Sequence, residues 1–140
     1  MTAQFTPVVG TEIFDLRPDY RAISVVADGV DNVAHHPAVD RYVEEAVTHP
    51  MPPPWTEGHL EAWRATYRAF GAKPRRTPCS VDTLLTRLGK EGRLPTINAV
   101  VDLYNAISAR YAIPVGGENI AAYVGSPRLM RASGAESFDT

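Results

Sequence analysis

Prolines and glycines separate the apolar stretches of this chain, and they limit it to short secondary-structure elements. Two segments are decisive, HPMPPPW at residues 49–55 and KPRRTPCS at residues 73–80. Proline lacks the backbone donor of a helix and disfavours helical geometry in the residue before it, so no long helix can run through either segment. We therefore expect several short elements joined by loops.

The hydrophobic pattern between these breaks predicts one strand and four helices. AISVVA, at residues 22–27, is short, apolar and rich in β-branched residues, which is typical of a buried strand. Residues 121–130 are compatible with a strand, a turn and part of another strand. Apolar residues at helical spacing predict helices from Pro37 to about Thr48, along residues 60–70 up to Gly71, after Ser80 as far as Gly89 and Gly92, and from Ala99 to about Tyr111.

The last of these helices carries both apolar and polar residues that need an explanation. Its large apolar residues cover one broad face, which we expect to pack into the core: Val100, Val101, Leu103, Tyr104, Ile107 and Tyr111. Asn98, Asp102 and Asn105 are four and three residues apart and form a polar row. Buried amides and carboxylates need partners. One explanation is structural: Asn98 is an N-cap, and the row also supplies a first-turn acid and a core hydrogen bond. The other explanation is that the row is the wall of a site that binds an amino or hydroxyl group.

The composition is that of one globular domain. The chain has 140 residues, of which 44% are apolar and 21% charged. No apolar run approaches the ~20 residues that span a bilayer. The N-terminus lacks the basic start and apolar stretch of a signal peptide, so we expect a cytoplasmic protein without a membrane partner. The single cysteine, Cys79, excludes an intrachain disulfide, and we interpret it as a structural residue.

The net charge of −2 conceals a basic segment. Residues 64–93 hold eight bases and two acids, and six of the bases are arginines, whose planar fork suits phosphate. Attraction to phosphates depends on the local field, so an anionic partner is expected; the alternative is a solvated surface with scattered bases. Five of these residues are the candidate contacts: Arg64 and Arg68 on one helix face, and Lys73, Arg75 and Arg76 in a loop.

Neither a metal nor a cofactor is predicted. The four histidines, at positions 35, 36, 49 and 59, and Cys79 have no zinc-ligand spacing. The sequence GGEN follows a helix and matches neither the phosphate-binding loop nor the dinucleotide fingerprint.

Three stretches in the same order resemble the B3/B4 domain of the phenylalanyl-tRNA synthetase β subunit, and more closely the stand-alone proteins built from that domain. They are YRAFGAKPRRTPCSVDTLL, LPTINAVVDLYNAIS and IPVGGEN, and LRPDYRAISVVADGVDN fits the family's first strand. The resemblance covers roughly residues 14–130, between an N-terminal segment at 1–13 and a tail at 131–140. It implies an α/β fold with a mixed or antiparallel sheet flanked by helices. The family domain continues further, so we expect a C-terminally truncated domain.

The resemblance also implies a function. In the synthetase this domain is the editing site, which hydrolyses tyrosine wrongly esterified to the phenylalanine tRNA. The family motif IN-x-VVD-x-x-N implies that Asn98 lines the pocket and positions the aminoacyl ester or its water, while Asp102 and Asn105 buttress the wall. Aminoacylated tRNA is the implied partner, and the five candidate bases would hold its acceptor-end phosphates.

One departure from the family puts catalysis in question. The family histidine after the proline is absent here, where Val115, Gly116 and Gly117 follow Pro114. No catalytic residue is therefore assigned. The N–H groups of Gly116 and Gly117 could stabilise an oxyanion or simply form a turn, and Glu118 is a nearby candidate base. The alternative to an editing hydrolase is a non-catalytic module that binds tRNA or an amino-acid-like ligand. The chain is no complete synthetase, and a homo-oligomer is possible.

Overall fold

The computed structural model describes residues 6–137, which form two compact units. One unit comprises Gly29–Glu118, and the other combines the described residues up to Asp28 with those from Asn119 onward. Residues 1–5 of the predicted N-terminal segment and 138–140 of the predicted tail lie outside the described residues. None of the described helices is long and apolar enough to cross a membrane. The division into residues 1–13, 14–130 and 131–140 stays a prediction.

The unit Gly29–Glu118 is built from four helices. They are α2 (Pro37–Thr48), α3 (Thr56–Ala69), α4 (Ser80–Glu91) and α5 (Ala99–Tyr111). Both proline-containing segments separate helices, as the sequence predicts. Helix α2 starts with Pro37, where its missing donor costs nothing, and the Nδ1 of His36 accepts the Ala38 N–H at 3.3 Å. Helix α4 runs through Gly89 and ends at Gly92, which has a φ of 65°, so only the second glycine acts as a terminator.

The core of this unit lies where α5 packs against α2 and α4. Its buried members are mostly small, which lets the helix axes approach closely: Ala46, Leu84, Leu94, Ala106 and Ala109. A second cluster of Leu60, Cys79 and Val81 joins α3 to the start of α4. These contacts fix the position of α5, which carries the predicted polar row.

The orientation of α5 differs from the sequence expectation. The buried face of the helix contains Asp102, Asn105, Ala106, Ser108 and Ala109. None of the six large apolar residues is buried: Val100 is 37% exposed and Tyr111 is 45% exposed, and the other four are only partly buried. The prediction that the large apolar face packs into the core is wrong, because the alanines and Ser108 allow a closer helix contact than the larger side chains would.

The other unit contains the small sheet. Strands β1 (Val8–Val9) and β2 (Arg128–Leu129) pair in parallel, with Val8 opposite Arg128. Helix α1 (Thr11–Leu16) follows β1, and Ile120–Ala122 forms a single 3-10 turn. Of the strand, turn and part of another strand expected within residues 121–130, the structure forms one strand at Arg128–Leu129, whereas residues 121–122 belong to a 3-10 turn.

The predicted strand at residues 22–27 is not formed. All six residues are exposed, and within residues 6–137 no backbone hydrogen bond involves them. A β-branched sequence forms a strand only when a neighbouring strand accepts its ladder of hydrogen bonds. The described fold is therefore helix-rich and α/β-like with a two-stranded parallel sheet, and not the mixed or antiparallel sheet that was expected.

Candidate functional site

The first residue of the polar row closes the N-terminus of α5. Asn98 has an extended backbone, and its Oδ1 accepts the N–H of Val101 at 3.0 Å. This confirms Asn98 as the N-cap, a position that asparagine favours. Its side-chain NH₂ group has no hydrogen-bond partner among residues 6–137. The residue is half-buried, so these two donors remain able to reach a ligand.

Asp102 completes the same cap from inside the helix. Its Oδ1 accepts the N–H of Ile97 at 2.8 Å, and its own N–H donates to the Asn98 carbonyl at 2.8 Å. The carboxyl is buried, with 6% of the residue exposed. Asn98 and Asp102 thus form a reciprocal cap of the capping-box type, in which each side chain accepts a backbone N–H near the helix start.

A loop residue supplies another cap contact that the sequence pattern did not reveal. The Oδ1 of Asn32 accepts the N–H of Val100 at 3.3 Å, and the carbonyl of Val33 accepts the N–H of Ala99 at 3.0 Å. Asn32 is 68 residues away in the chain, so no local spacing could have indicated the contact. Together with Asn98, these groups satisfy the first four N–H groups of α5, which leaves this helix end closed to an anion.

Asn105 is the member of the row whose whole side-chain amide remains available. Only 9% of the residue is exposed, and no hydrogen bond joins its side chain to another described residue. Every fully enclosed side-chain nitrogen or oxygen of the described residues has a hydrogen-bond partner. Because the Asn105 amide has none, its atoms must retain some contact with solvent. A nearly buried amide with a free donor and acceptor is suited to a polar ligand group.

The turn after α5 lies against a different side of the helix. Gly116, Gly117 and Glu118 are all exposed. A methyl carbon built on Gly117 would lie 3.2 Å from Cε1 of Tyr104, so the backbone passes close to that ring. Tyr104 and Asn105 point about 100° apart around the helix. The described structure therefore brings Asn98 and Asp102 together, and it places Gly117 beside Tyr104 and not on the Asp102 face.

Two of the five candidate bases are paired with acids. The guanidinium of Arg64 binds Asp82 through two hydrogen bonds of 2.9 and 3.0 Å and donates to Glu57 at 3.0 Å. The bonds to Asp82 raise the pKa of Arg64. Arg68 is bonded to Glu61. Much of the charge of these arginines is thus neutralised locally, and Arg64 ties α3 to α4.

The other three candidate bases lie in an exposed turn. The chain folds back at this basic loop (residues 73–76), where the N–H groups of Arg76 and Thr77 both donate to the Lys73 carbonyl. The side chains of Lys73, Arg75 and Arg76 are exposed and have no ion pair with a carboxylate in residues 6–137. The loop therefore presents three uncompensated positive charges just before α4.

Cys79 is buried immediately after this loop. Burial raises the pKa of its thiol, which keeps it protonated at neutral pH. A protonated buried thiol is a poor nucleophile, in agreement with the structural interpretation. Among the described residues, no three His, Cys, Asp or Glu side chains come together as metal ligands would.

Similarity to a known protein family indicates where this chain belongs. A model of the B3/4 domain family matches residues 62–140, which is more than half of the chain. The chain belongs to the B3/4 domain family. The matched part of this B3/4 domain protein contains the basic loop, α4, α5 and the Gly116–Gly117 turn, and it confirms the resemblance found in the sequence. No curated protein and no solved structure matches the chain.

Proposed function

We propose that this B3/4 domain protein binds aminoacylated tRNA and that the basic loop holds the RNA backbone. The observation that supports this most directly is the group of three exposed side chains, Lys73, Arg75 and Arg76, which have no carboxylate partner within residues 6–137. Cations without a local counter-charge release condensed counterions from a nucleic acid most effectively. The family membership supports tRNA as this anionic partner, since the sequence resembles a tRNA-editing domain.

Arg64 and Arg68 have a smaller part in this proposal. Binding a phosphate would require each of them to leave or share the carboxylates of Asp82, Glu57 or Glu61. That exchange cancels much of the gain, because one charge-assisted hydrogen bond replaces another. Arg64 is better suited to holding α3 and α4 together, so that the basic loop between them has a fixed position.

The aminoacyl end of the tRNA would lie along the α5 row. The free NH₂ group of Asn98 and the amide of Asn105 offer donors and an acceptor for an amino or hydroxyl group. Asp102 would act indirectly, because its Oδ1 is already bonded to the Ile97 N–H. This binding function needs no general base, which suits a chain that lacks the family histidine.

Hydrolysis of a mischarged ester of the tyrosyl-tRNA(Phe) type is the second candidate function. The nearly buried Asn105 amide without a partner favours it, because such a group can hold a water or an ester oxygen in place. An aminoacyl ester is already activated, so its hydrolysis in this proposal requires only a positioned water and a stabilised oxyanion. Glu118 is exposed and would have to serve as base if one is needed.

The binding proposal is tested with two triple variants, each of which removes three positive charges. Lys73, Arg75 and Arg76 are changed together to Gln, and the matched control changes Arg68, Arg87 and Arg93 to Gln, which are all paired with Glu61 or Glu91. We expect the loop variant to bind phenylalanine-type tRNA at least about ten-fold more weakly. The control should change affinity about two-fold or less, although the net charge changes equally. Equal losses in both variants would contradict the proposal.

Hydrolysis is tested separately with tyrosyl-tRNA(Phe), using correctly charged phenylalanyl-tRNA(Phe) as the control substrate. Asn98→Asp keeps a side-chain oxygen for the cap but removes both amide donors, so it separates a site role from a helix-cap role. Selective release of tyrosine that falls in Asn98→Asp and Asn105→Leu, at unchanged stability, would establish an editing hydrolase. Binding without release would leave the protein as a binding module.

A further inference from the structure

A groove at the C-terminal end of α5 has properties that the tRNA proposal does not use. It has a volume of about 360 Å³ and lies entirely within the unit Gly29–Glu118. Its apolar walls come from the end of α2, from α4 and from α5, and include Val47, Leu85, Leu88 and Ala109. This volume is within the range of small-molecule sites. The groove is at the opposite end of α5 from Asn98.

The prolines after α2 give the groove a stiff outer wall. Pro50, Met51 and Pro52 line it, and Met51 is 84% exposed. Proline rings fix the backbone and reduce the conformational freedom that binding would otherwise remove. On the α4 side, a methyl carbon placed on Gly89 or Gly92 would meet no atom within 4 Å. The groove is thus open along its glycine side and pre-shaped along its proline side.

The polar groups of the groove indicate the charge of its ligand. Arg110 lines it, with the guanidinium carbon 5.3 Å from the centroid of the Tyr42 ring. No carboxylate of the described residues pairs with this guanidinium, so its charge is available to a ligand that displaces the weaker cation–π contact. No aspartate or glutamate lines the groove. An occupant with an apolar body and one negative charge is therefore complementary to it.

His49 supplies a second polar group to the same groove. The Thr48 hydroxyl donates to the Glu44 carbonyl at 2.8 Å, so the Thr48 oxygen is left to accept a proton from Nδ1 of His49 at 2.9 Å. This assigns the proton of the His49 ring to Nδ1 and leaves Nε2 for another partner. The ring can therefore add a directed hydrogen bond near the rim.

We infer that this groove binds a small apolar carboxylic acid, whose chain lies between Leu88 and Met51 and whose carboxylate pairs with Arg110. A guanidinium can donate two parallel hydrogen bonds to the two oxygens of a carboxylate, whereas an alcohol or an amine offers no such pair of acceptors. The groove volume of about 360 Å³ suits a free acid of roughly eight carbons.

The test uses octanoate as the probe on the full chain. Octylammonium, which has the same alkyl chain and a positive head group, is one control, and acetate, which has the carboxylate without the long chain, is the other. Calorimetric titration should show octanoate binding with a dissociation constant of about 1 mM or tighter. Octylammonium and acetate should each bind at least about ten-fold more weakly. Equal binding of octylammonium would overturn the proposal, and so would the absence of octanoate binding.

Two variants locate the binding. Arg110→Gln removes the charge and should weaken octanoate binding about ten-fold. Gly89→Leu fills the open side of the groove, replaces a helix-destabilising glycine, and should abolish binding with the helical circular dichroism intact. Neither residue belongs to the tRNA contacts, so both variants should bind tRNA like the parent. Octanoate binding that persists in both variants would place the acid elsewhere and refute the assignment.

Discussion

Individual side chains of the α5 row have separable roles. Asn98 and Asp102 close the helix end, whereas Asn105 is nearly buried with no described partner. The sequence could predict the cap, because an asparagine before a helix is a local signal. It could not predict the contact from Asn32, since that residue comes from a distant loop. Nor could it predict which row member stays unpaired, because that depends on tertiary neighbours.

The role of Asp102 gives a prediction about stability. Asp102→Ala leaves the Ile97 N–H without its 2.8 Å partner and opens a small gap, so we expect the free energy of unfolding to fall by about 1.5–3 kcal/mol. Asp102→Asn keeps an acceptor oxygen and should lose about 1 kcal/mol or less. Urea denaturation of both variants measures the difference. Equal stability of Asp102→Ala and the parent would show that the cap contact is unimportant.

Two titratable groups, the buried Cys79 and the half-buried Tyr67, give a prediction about alkaline pH. Burial raises the pKa of the Cys79 thiol above its usual 9.0 and that of Tyr67 above its usual 10.0. The folded state therefore binds these protons more tightly than the unfolded chain does. Their contribution is complete below about pH 8 and is lost as the pH rises through the folded-state pKa values. We expect the urea midpoint to fall above about pH 9, and to fall less in Cys79→Ala. A midpoint that rises there would contradict this.

At the scale of elements, the sequence predicts the boundaries of helices better than it predicts which face of a helix is buried. Pro37, Gly71, Gly92 and Asn98 mark helix boundaries as the sequence predicts. The packing face of α5 could not be predicted, because apolar residues surround much of this helix and the alanines decide which side lies in the core. The short helix α1 was not predicted. Residues 22–27 have strand propensity, but propensity alone supplies no partner strand.

Helix α4 offers a test with two glycines of opposite effect. Gly92 has a φ of 65°, a left-handed conformation in which a side chain is strained, so Gly92→Ala should lower the free energy of unfolding by about 1–2 kcal/mol. Gly89 lies within the helix with open space around it, so Gly89→Ala should raise it by up to about 1 kcal/mol. Thermal unfolding of both variants compares them. The same sign for both would contradict the assigned geometry.

At the scale of the molecule, two compact units are joined through residues near 28 and 118. Residues 22–27 are exposed and have no described backbone hydrogen bonds, with Ile23 93% exposed. A protease needs such an extended, unprotected segment. We expect elastase to cut first within residues 22–27, as mass spectrometry of the earliest fragments would show. First cuts inside α2–α5 would contradict this. Association of copies of the chain into a homo-oligomer stays a prediction, which sedimentation analysis would test.

Across the whole molecule, local ion pairs neutralise part of the positive charge that the sequence shows. The sequence shows a basic segment at residues 64–93, but four of its arginines are paired with nearby carboxylates: Arg64, Arg68, Arg87 and Arg93. Counting charges along the chain could not separate these from the bases that remain available. The basic loop is distinguished only when the helices are in place, and the central functional claim rests on it.

The salt dependence of tRNA binding tests that claim most directly. The measurement is the slope of the logarithm of the binding constant against the logarithm of salt concentration, for phenylalanine-type tRNA. If Lys73, Arg75 and Arg76 each contact a phosphate, changing all three to Gln should reduce the magnitude of the slope by about 2–3. The variant of the paired residues Arg68, Arg87 and Arg93 should keep the parent slope. An unchanged slope in the loop variant, or an equal reduction in both, would contradict a tRNA interface at this loop.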